Sequence, residues 1–340
     1  MKNFKKTILA GVAGVVMMGA SMAHAVDLNG AGSTFDNPIF QKWFHEYYTA
    51  NSTQVNYQSI GSGGGIQQWL AKTVDFGATD AFLTDDETQK AGGPALNLPV
   101  VLGAVCVSYN IPGIDSGLKL TPKVLVDIYM GKILNWNDTA IVELNPDLTL
   151  PNLVINVVRR SDGSGTTNIF TSYLSKVSTA WATSAGWGKS VNFPVGVGGK
   201  GNEGVAGIIR QYPGSIGYVE LAYAVQNKMA FAALKNKAGK FVEPSVDATT
   251  AAAEGAMHKI PSDFKIMITN AAGEDAYPIC GFSWVVVRVN QDDPVKGKKL
   301  VDLLNWMLDT GNGEASTLYY APLPDALVAK VKDAVATIKF

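Results

Sequence analysis

Leu153-Val154-Ile155-Asn156-Val157-Val158-Arg159-Arg160-Ser161-Asp162-Gly163-Ser164-Gly165-Thr166 is the stretch on which the reading of this chain turns. Its first half is rich in β-branched residues and reads as a strand. Beyond it, Ile169, Phe170, Tyr173 and Leu174 recur on one helical face. A polar glycine loop lies between, so Ser164, Gly165 and Thr166 fall where a helix begins. Free backbone N–H groups point outward at such a place, and the helix dipole favours negative charge. Ser164 and Thr166 add hydroxyls, and Arg160 adds a planar, permanently charged fork. This chemistry points to a tetrahedral or planar oxyanion, although an ordinary capped βα loop has the same spacing.

The same strand, glycine loop, helix plan recurs on the N-terminal side. A short strand, Asp27 to Asn29, leads into Gly30-Ala31-Gly32-Ser33-Thr34-Phe35, and Pro38 opens a helix where proline is welcome. Ile39, Phe40, Trp43, Phe44, Tyr47 and Tyr48 form a helical stripe that reads as core, with His45 on the solvent face. The loop is no dinucleotide fingerprint, because the third glycine would fall at Phe35. Its glycines still let backbone N–H groups converge on an anion. A second strand, Val55 to Ile60, precedes Gly61-Ser62-Gly63-Gly64-Gly65 and the apolar positions Ile66, Trp69 and Leu70. Val74-Asp75-Phe76-Gly77-Ala78-Thr79-Asp80 ends in a carboxylate. Asp80 reads from the residues alone as a helix cap, a partner for Arg160 or a hydrogen-bond acceptor in the anion site.

Arg160 to Thr166, Gly30 to Phe35, Ile60 to Gly65, Val74 to Asp80, Gly196 to Asn202 and Pro213-Gly214-Ser215-Ile216-Gly217-Tyr218 together resemble, in order, the loops of the periplasmic phosphate-binding proteins of phosphate ABC importers, the PstS family. The resemblance implies an α/β, two-domain periplasmic-binding-protein fold of type II. Each domain would be a mixed, mostly parallel sheet flanked by helices, with the ligand in the interdomain cleft. It implies phosphate contacts from Thr34 (hydroxyl and N–H), Phe35 (N–H), Ser62, Asp80, Arg160, Ser164, Gly165 and Thr166. The 196–202 loop would support the cleft without grasping the anion. The ligand would be inorganic phosphate with no cofactor, and the partners a membrane permease and its cytoplasmic ATPase. Where the family usually has Pro after the loop's Phe, this chain has Asp36, which puts a carboxylate near the site.

The whole chain sets further bounds. Lys2, Lys5 and Lys6, the apolar run Ile8 to Ala20 and Ala23-His24-Ala25 read as a signal peptide removed before Val26, and hence a periplasmic protein. The apolar run is shorter than the ~20 residues of a membrane span. Loss of that segment, with its three lysines and no acid, takes the net charge from −1 to −4. Such a chain offers no basic excess for nucleic acid. The expected boundaries are 1–25 for the signal, 26–107 plus 279–340 for domain I and 108–278 for domain II, in a monomer. Two crossings near 108–112 and 276–280 suggest a hinge. Cys106 and Cys280, the only cysteines, sit in apolar strands at the two crossings and are expected to form a disulfide. With two cysteines and scattered histidines, no zinc motif is present.

Further along, the pattern predicts a long apolar strand from Pro99 to Ile111, a helix over Val124 to Met130, a helix over Val205 to Ile209 and a strand over Ile216 to Val219. Residues 230–260 read as peripheral. A buried return strand, Pro278 to Val289, precedes closing helices over Leu300 to Leu308 and Leu327 to Ile338. Thr183 to Ser190 imitates a P-loop but lacks the first glycine and the strand before it. A secreted phosphatase is the rival of another class. No Gly-x-Ser-x-Gly elbow is paired with a suitable histidine, so the chain reads as a binder and not an enzyme. Binding of another oxyanion such as sulfate is the rival within binding proteins.

Overall fold

In the computed structural model, which describes residues 27–340, the apolar runs form twelve strands. They are β1 (Leu28–Gly32), β2 (Val55–Ser59), β3 (Phe76–Thr79), β4 (Ala95–Tyr109), β5 (Lys119–Leu120), β6 (Asn156–Arg160), β7 (Val197–Gly199), β8 (Ser215–Glu220), β9 (Ala230–Phe231), β10 (Ala233–Lys235), β11 (Phe241–Val242) and β12 (Cys280–Arg288). The expected signal peptide lies outside the described residues. Nine strands make one sheet: eight follow the path β2-β1-β3-β12-β4-β8-β6-β7, and β9 pairs with the end of β4; β11, β10 and β5 form a small separate sheet.

Strand β4 explains this continuity. It is 15 residues long and buried along nearly its whole length, as its unbroken apolar run requires. From Ala95 to Ala104 it pairs antiparallel with β12, and from Val105 to Tyr109 antiparallel with β8. On one side β1, β2 and β3 run parallel, and on the other β6, β7 and β8 do. The two mostly parallel sheets expected for the fold are therefore present, but joined through one shared strand. Within β4, Pro99 faces Trp284 and Val101 faces Ser283, leaving Val100 as an extra, bulged residue. A bulge accommodates the proline, which has no ladder donor, and re-aims the partner strand at Ser283.

In the large sheet the parallel strands feed helices, and this sets where the loops gather. β1 leads to helix Asn37–Asn51, β2 to Ser62–Leu70, β6 to Gly165–Val177, β7 to Gly201–Gln211 and β8 to Leu221–Gln226. The aromatic stripe of the first helix is core as expected: Phe40, Trp43, Phe44 and Tyr47 are buried, and Phe40 meets Tyr57 of β2 edge-on at 5.1 Å. Tyr48, on the same expected stripe, is half exposed, and His45 faces solvent. Helices Pro294–Trp306 and Asp325–Val335 pack on β1 and β4, closing the N-terminal half.

Two expectations change. The alanine-rich segment is not peripheral: in helix Val246–Glu254, Ala248, Ala252 and Ala253 are buried against β4, because small side chains permit that close approach. The expected disulfide is absent, and Cys106 and Cys280 are buried free thiols. The ladder gives the reason. Cys280 lies opposite Ala104, so Cys106, two residues further along β4, is its diagonal neighbour. Diagonal neighbours in a ladder stand roughly 7–8 Å apart, beyond the usual Cα separation of bridged cysteines. The thiol of Cys280 instead donates to the carbonyl of Tyr277 at 3.3 Å.

Candidate functional site

The carboxyl ends of β1, β2, β3, β6 and β7 meet in one place, with helix N-termini aimed inward, and there the chain brings together the residues singled out above. Ser62, first residue of its helix, accepts the backbone N–H of Gly165 at 3.0 Å and that of Asp80 at 3.3 Å. Thr34 Oγ1 accepts two N–H groups of Asn202, backbone at 3.1 Å and side chain at 2.8 Å. The same Asn202 amide donates to Thr166 Oγ1 at 3.1 Å. Ser164 caps its own helix by accepting from the Thr167 N–H at 3.0 Å. Thr34, Phe35, Ser62, Asp80, Arg160, Ser164 and Thr166 are all buried.

Close approach at this place needs glycine. A Cβ on Gly165 would lie 2.5 Å from Asp80 Oδ2 and 2.6 Å from its backbone nitrogen. Gly61, at φ +86°, would carry a Cβ 2.3 Å from Asp162 Oδ2. Gly63 N–H donates to the Gly163 carbonyl at 2.8 Å, joining the two glycine loops backbone to backbone.

The four hydroxyls share one property. Thr34, Ser62, Ser164 and Thr166 each spend their oxygen as an acceptor, and among the described residues none donates its own proton to a protein atom. Arg160 is partly committed in the same manner. Its Nε and Nη2 hold the two oxygens of Asp162, Nε at 2.8 Å, and Nη1 reaches Thr166 Oγ1 at 3.2 Å. Of five guanidinium N–H groups, two remain. Burial opposes the ionisation of Asp162, but its bonds to Arg160 and that residue's charge hold it below the ordinary carboxylate range. Asp162 also accepts the N–H of Gly201 at 3.0 Å.

Asp80 is neither a helix cap nor the partner of Arg160. Ser33 donates to its two oxygens at 2.7 and 2.8 Å, and Ser283 lies 2.9 Å from Oδ1. Full burial pushes it up to about 7, against the pull of Ser33, Ser283 and the Arg160 charge. Phe35, expected to act through its N–H, gives that N–H to Ser33 Oγ at 2.9 Å.

Sequence reasoning missed Ser33, Ser283 and Tyr223. Ser33 stood inside a quoted loop and lacked only attention. Ser283 lies in an apolar strand, and no local signal marks it. Tyr223 OH donates to the Thr34 carbonyl at 2.7 Å from helix Leu221–Gln226. Asn202, assigned to a supporting loop, is the amide that ties Thr34 to Thr166. Among the described residues no group of three or more His, Cys, Asp or Glu is arranged to hold a metal ion, and no helix is long and apolar enough to cross a membrane.

Residues 19–310 match the family model described as a PBP superfamily domain. The chain is 46% identical over 314 residues to the phosphate-binding protein PstS of Xylella fastidiosa strain 9a5c, covering 92% of this chain and 86% of that one. It is 45% identical over 311 residues to the PstS of Haemophilus influenzae, covering 91% and 92%. Among solved structures, a high-affinity periplasmic phosphate-binding protein, PfluDING with bound phosphate, superposes with a TM-score of 0.71 at 21% identity. That match covers 91% of this chain and 93% of the other.

Proposed function

The chain belongs to the PstS family of phosphate-binding proteins, within the PBP superfamily, and from that premise we propose how it works. It binds inorganic phosphate for a phosphate ABC transporter, and it is a binding protein, not an enzyme. One observation carries the site assignment: four buried hydroxyls and one guanidinium, each already satisfied on one side, keep unspent donors. A set of donors without acceptors suits a ligand that is nearly all acceptor, and a tetrahedral oxyanion is such a ligand.

In this reading the hydroxyls of Thr34, Ser62, Ser164 and Thr166 and the two spare N–H groups of Arg160 donate to phosphate oxygens. The N–H groups of Phe35 and Gly165 exchange their present serine partners for the ligand. Asp80 accepts the remaining phosphate O–H. Asn202, Asp162 and Tyr223 hold these groups in place. The negative net charge is no obstacle, since screening over about 8 Å leaves recognition to the local donors.

The two halves, 26–107 plus 279–340 and 108–278, act as domains that close on the anion. They hinge where β4 changes partner between Ala104 and Val105 and before β12. A ligand held by both halves favours the closed state. The protein is a periplasmic monomer, exported through a cleaved signal, that hands phosphate to membrane permease subunits driven by a cytoplasmic ATPase. Calorimetric titration of the ligand-stripped protein with phosphate, sulfate and a phosphate monoester tests the core of this reading. Phosphate binding is expected. A flat phosphate trace overturns it, and turnover of the monoester would restore the phosphatase.

A further inference from the structure

Linked to Asp80 through Ser283 lies a second carboxylate that the phosphate contacts do not use. Asp36 is fully buried, and its Oδ2 lies 2.5 Å from Ser283 Oγ, which lies in turn 2.9 Å from Asp80 Oδ1. The other oxygen of Asp36, Oδ1, is buried without a hydrogen-bond partner. The three side chains come from the loop after β1, the strand β12 and the end of β3. The bulge at Val100 turns Ser283 toward both acids.

A proton count decides the arrangement. Ser283 has one hydroxyl proton and two carboxylates within reach. If both acids were ionised, one of them would face the serine oxygen lone pair to lone pair in a site without water-like dielectric. One extra proton is therefore held in the chain. Asp80 has a second donor in Ser33 and the positive Arg160 nearby. Asp36 has neither, and the charged groups acting on it from other elements are the acids Asp80 and Glu220. Tyr57, bonded to the Ser33 carbonyl, and Tyr320, bonded to the Phe35 carbonyl, are neutral neighbours.

We propose that Asp36 is a positioning residue for phosphate recognition: a neutral carboxylic acid that donates to Ser283, which donates to Asp80, leaving Asp80 as the ionised acceptor for the ligand O–H. This rests on the phosphate reading. Burial and the Asp80 charge push Asp36 well above the usual carboxylate range, in the same direction.

Two measurements test it. Infrared difference spectra at neutral pH, wild type minus Asp36→Asn, should show a protonated-carboxyl C=O stretch that the variant lacks; this needs no ligand. No such band means that Asp36 is ionised, and the proposal falls. Competitive titration with phosphate and sulfate supplies the second readout. Ser283→Ala should lower the phosphate-to-sulfate affinity ratio on the order of ten- to a hundred-fold, the worth of one hydrogen bond to a charged group. Asp36→Leu should lower it less, and Asp36→Asn, which puts an amide N–H on Ser283, should recover part of that loss. Wild-type selectivity in Ser283→Ala, or equal losses in the Leu and Asn variants, overturns the chain. A wild type that binds no phosphate fails the parent reading instead, and leaves the infrared result standing.

Discussion

The hydroxyl of Ser62, on the β2 side of the molecule, accepts the backbone N–H of Gly165, on the β6 side, at 3.0 Å. The bond spans the two halves at the point where both glycine loops meet. Gly165→Ala is the sharpest test of that closeness, because the new Cβ would fall within 2.6 Å of both the side chain and the backbone of Asp80. The halves cannot meet around it. Phosphate binding should be lost in calorimetry while far-UV circular dichroism stays that of the wild type. Binding at wild-type affinity would show that the contact is not needed for capture.

Arg160 and Arg159 should behave oppositely although they are adjacent. The Arg160 side chain is buried against Asp162 and Thr166. The guanidinium of Arg159 turns to the other face, over the Phe193 ring at 5.8 Å. Arg160→Ala should weaken phosphate binding by about 2–5 kcal/mol, the scale for truncating a buried charged contact. Arg159→Ala should change it by less than a tenth of that in fold terms. Calorimetry on both variants settles the order, and a larger loss at Arg159 would mean that the ligand sits on the other face of β6.

How far these residues were legible follows from what fixes them. The loops proposed to hold phosphate announce themselves, because strand, glycine, hydroxyl and helix follow one another within a few residues. Ser164 and Thr166 could be read in this way without any tertiary knowledge. Ser283 could not, since its role depends on a bulge in β4 that aims a residue of β12 at two acids remote in sequence. The joining of both sheets through β4 was equally hidden. A long apolar run tells that a strand is buried, not that its two halves serve different partners. The alanine-rich helix misled for a related reason, as low complexity says nothing about a close packing surface.

The cysteines give a prediction opposite to their sequence reading. In ladder register Cys106 and Cys280 are diagonal neighbours, so a thiol assay on denatured, unreduced protein should count two free thiols. In the native protein both should react slowly, because burial pushes both thiols up, Cys280 to about 12, and removes them from solvent. A denatured count near zero would mean that the strands shift to bring the two together.

The acid cluster behind the site should make ligand-free stability depend on pH in a defined direction. Asp80 holds its proton up to about 7 in the folded protein, while the unfolded chain releases it near 3.8. Between those values the folded state binds more protons than the unfolded one, so this group's contribution to stability falls as pH rises, and is level above about 7. Asp80→Asn has nothing to titrate there. Its melting temperature should therefore gain on the wild type from about pH 4 to about pH 7, and then keep a constant lead. A lead that stays constant from pH 4 to pH 7 would mean that Asp80 is ionised throughout.

The same titration governs selectivity. An ionised Asp80 only accepts hydrogen bonds, and phosphate near neutral pH still carries at least one O–H to give it. Sulfate carries none, so it would meet Asp80 with an unpaired repulsion in a buried site. Sites built around one required hydrogen bond reject an analogue lacking it by roughly 10⁴–10⁵. Once Asp80 is protonated, below about pH 7, it has a hydrogen to offer and the repulsion is gone. Sulfate affinity of the wild type should therefore rise as pH falls through that value. Asp80→Asn, neutral and of the same size, has a donor at every pH and should bind sulfate more tightly than the wild type at pH 8, with little change on acidification. Competitive calorimetry of both anions from pH 5 to 8 provides the comparison. If the two proteins reject sulfate equally at pH 8, the Asp80 charge is not the filter, and discrimination must come from hydrogen-bond geometry at the site.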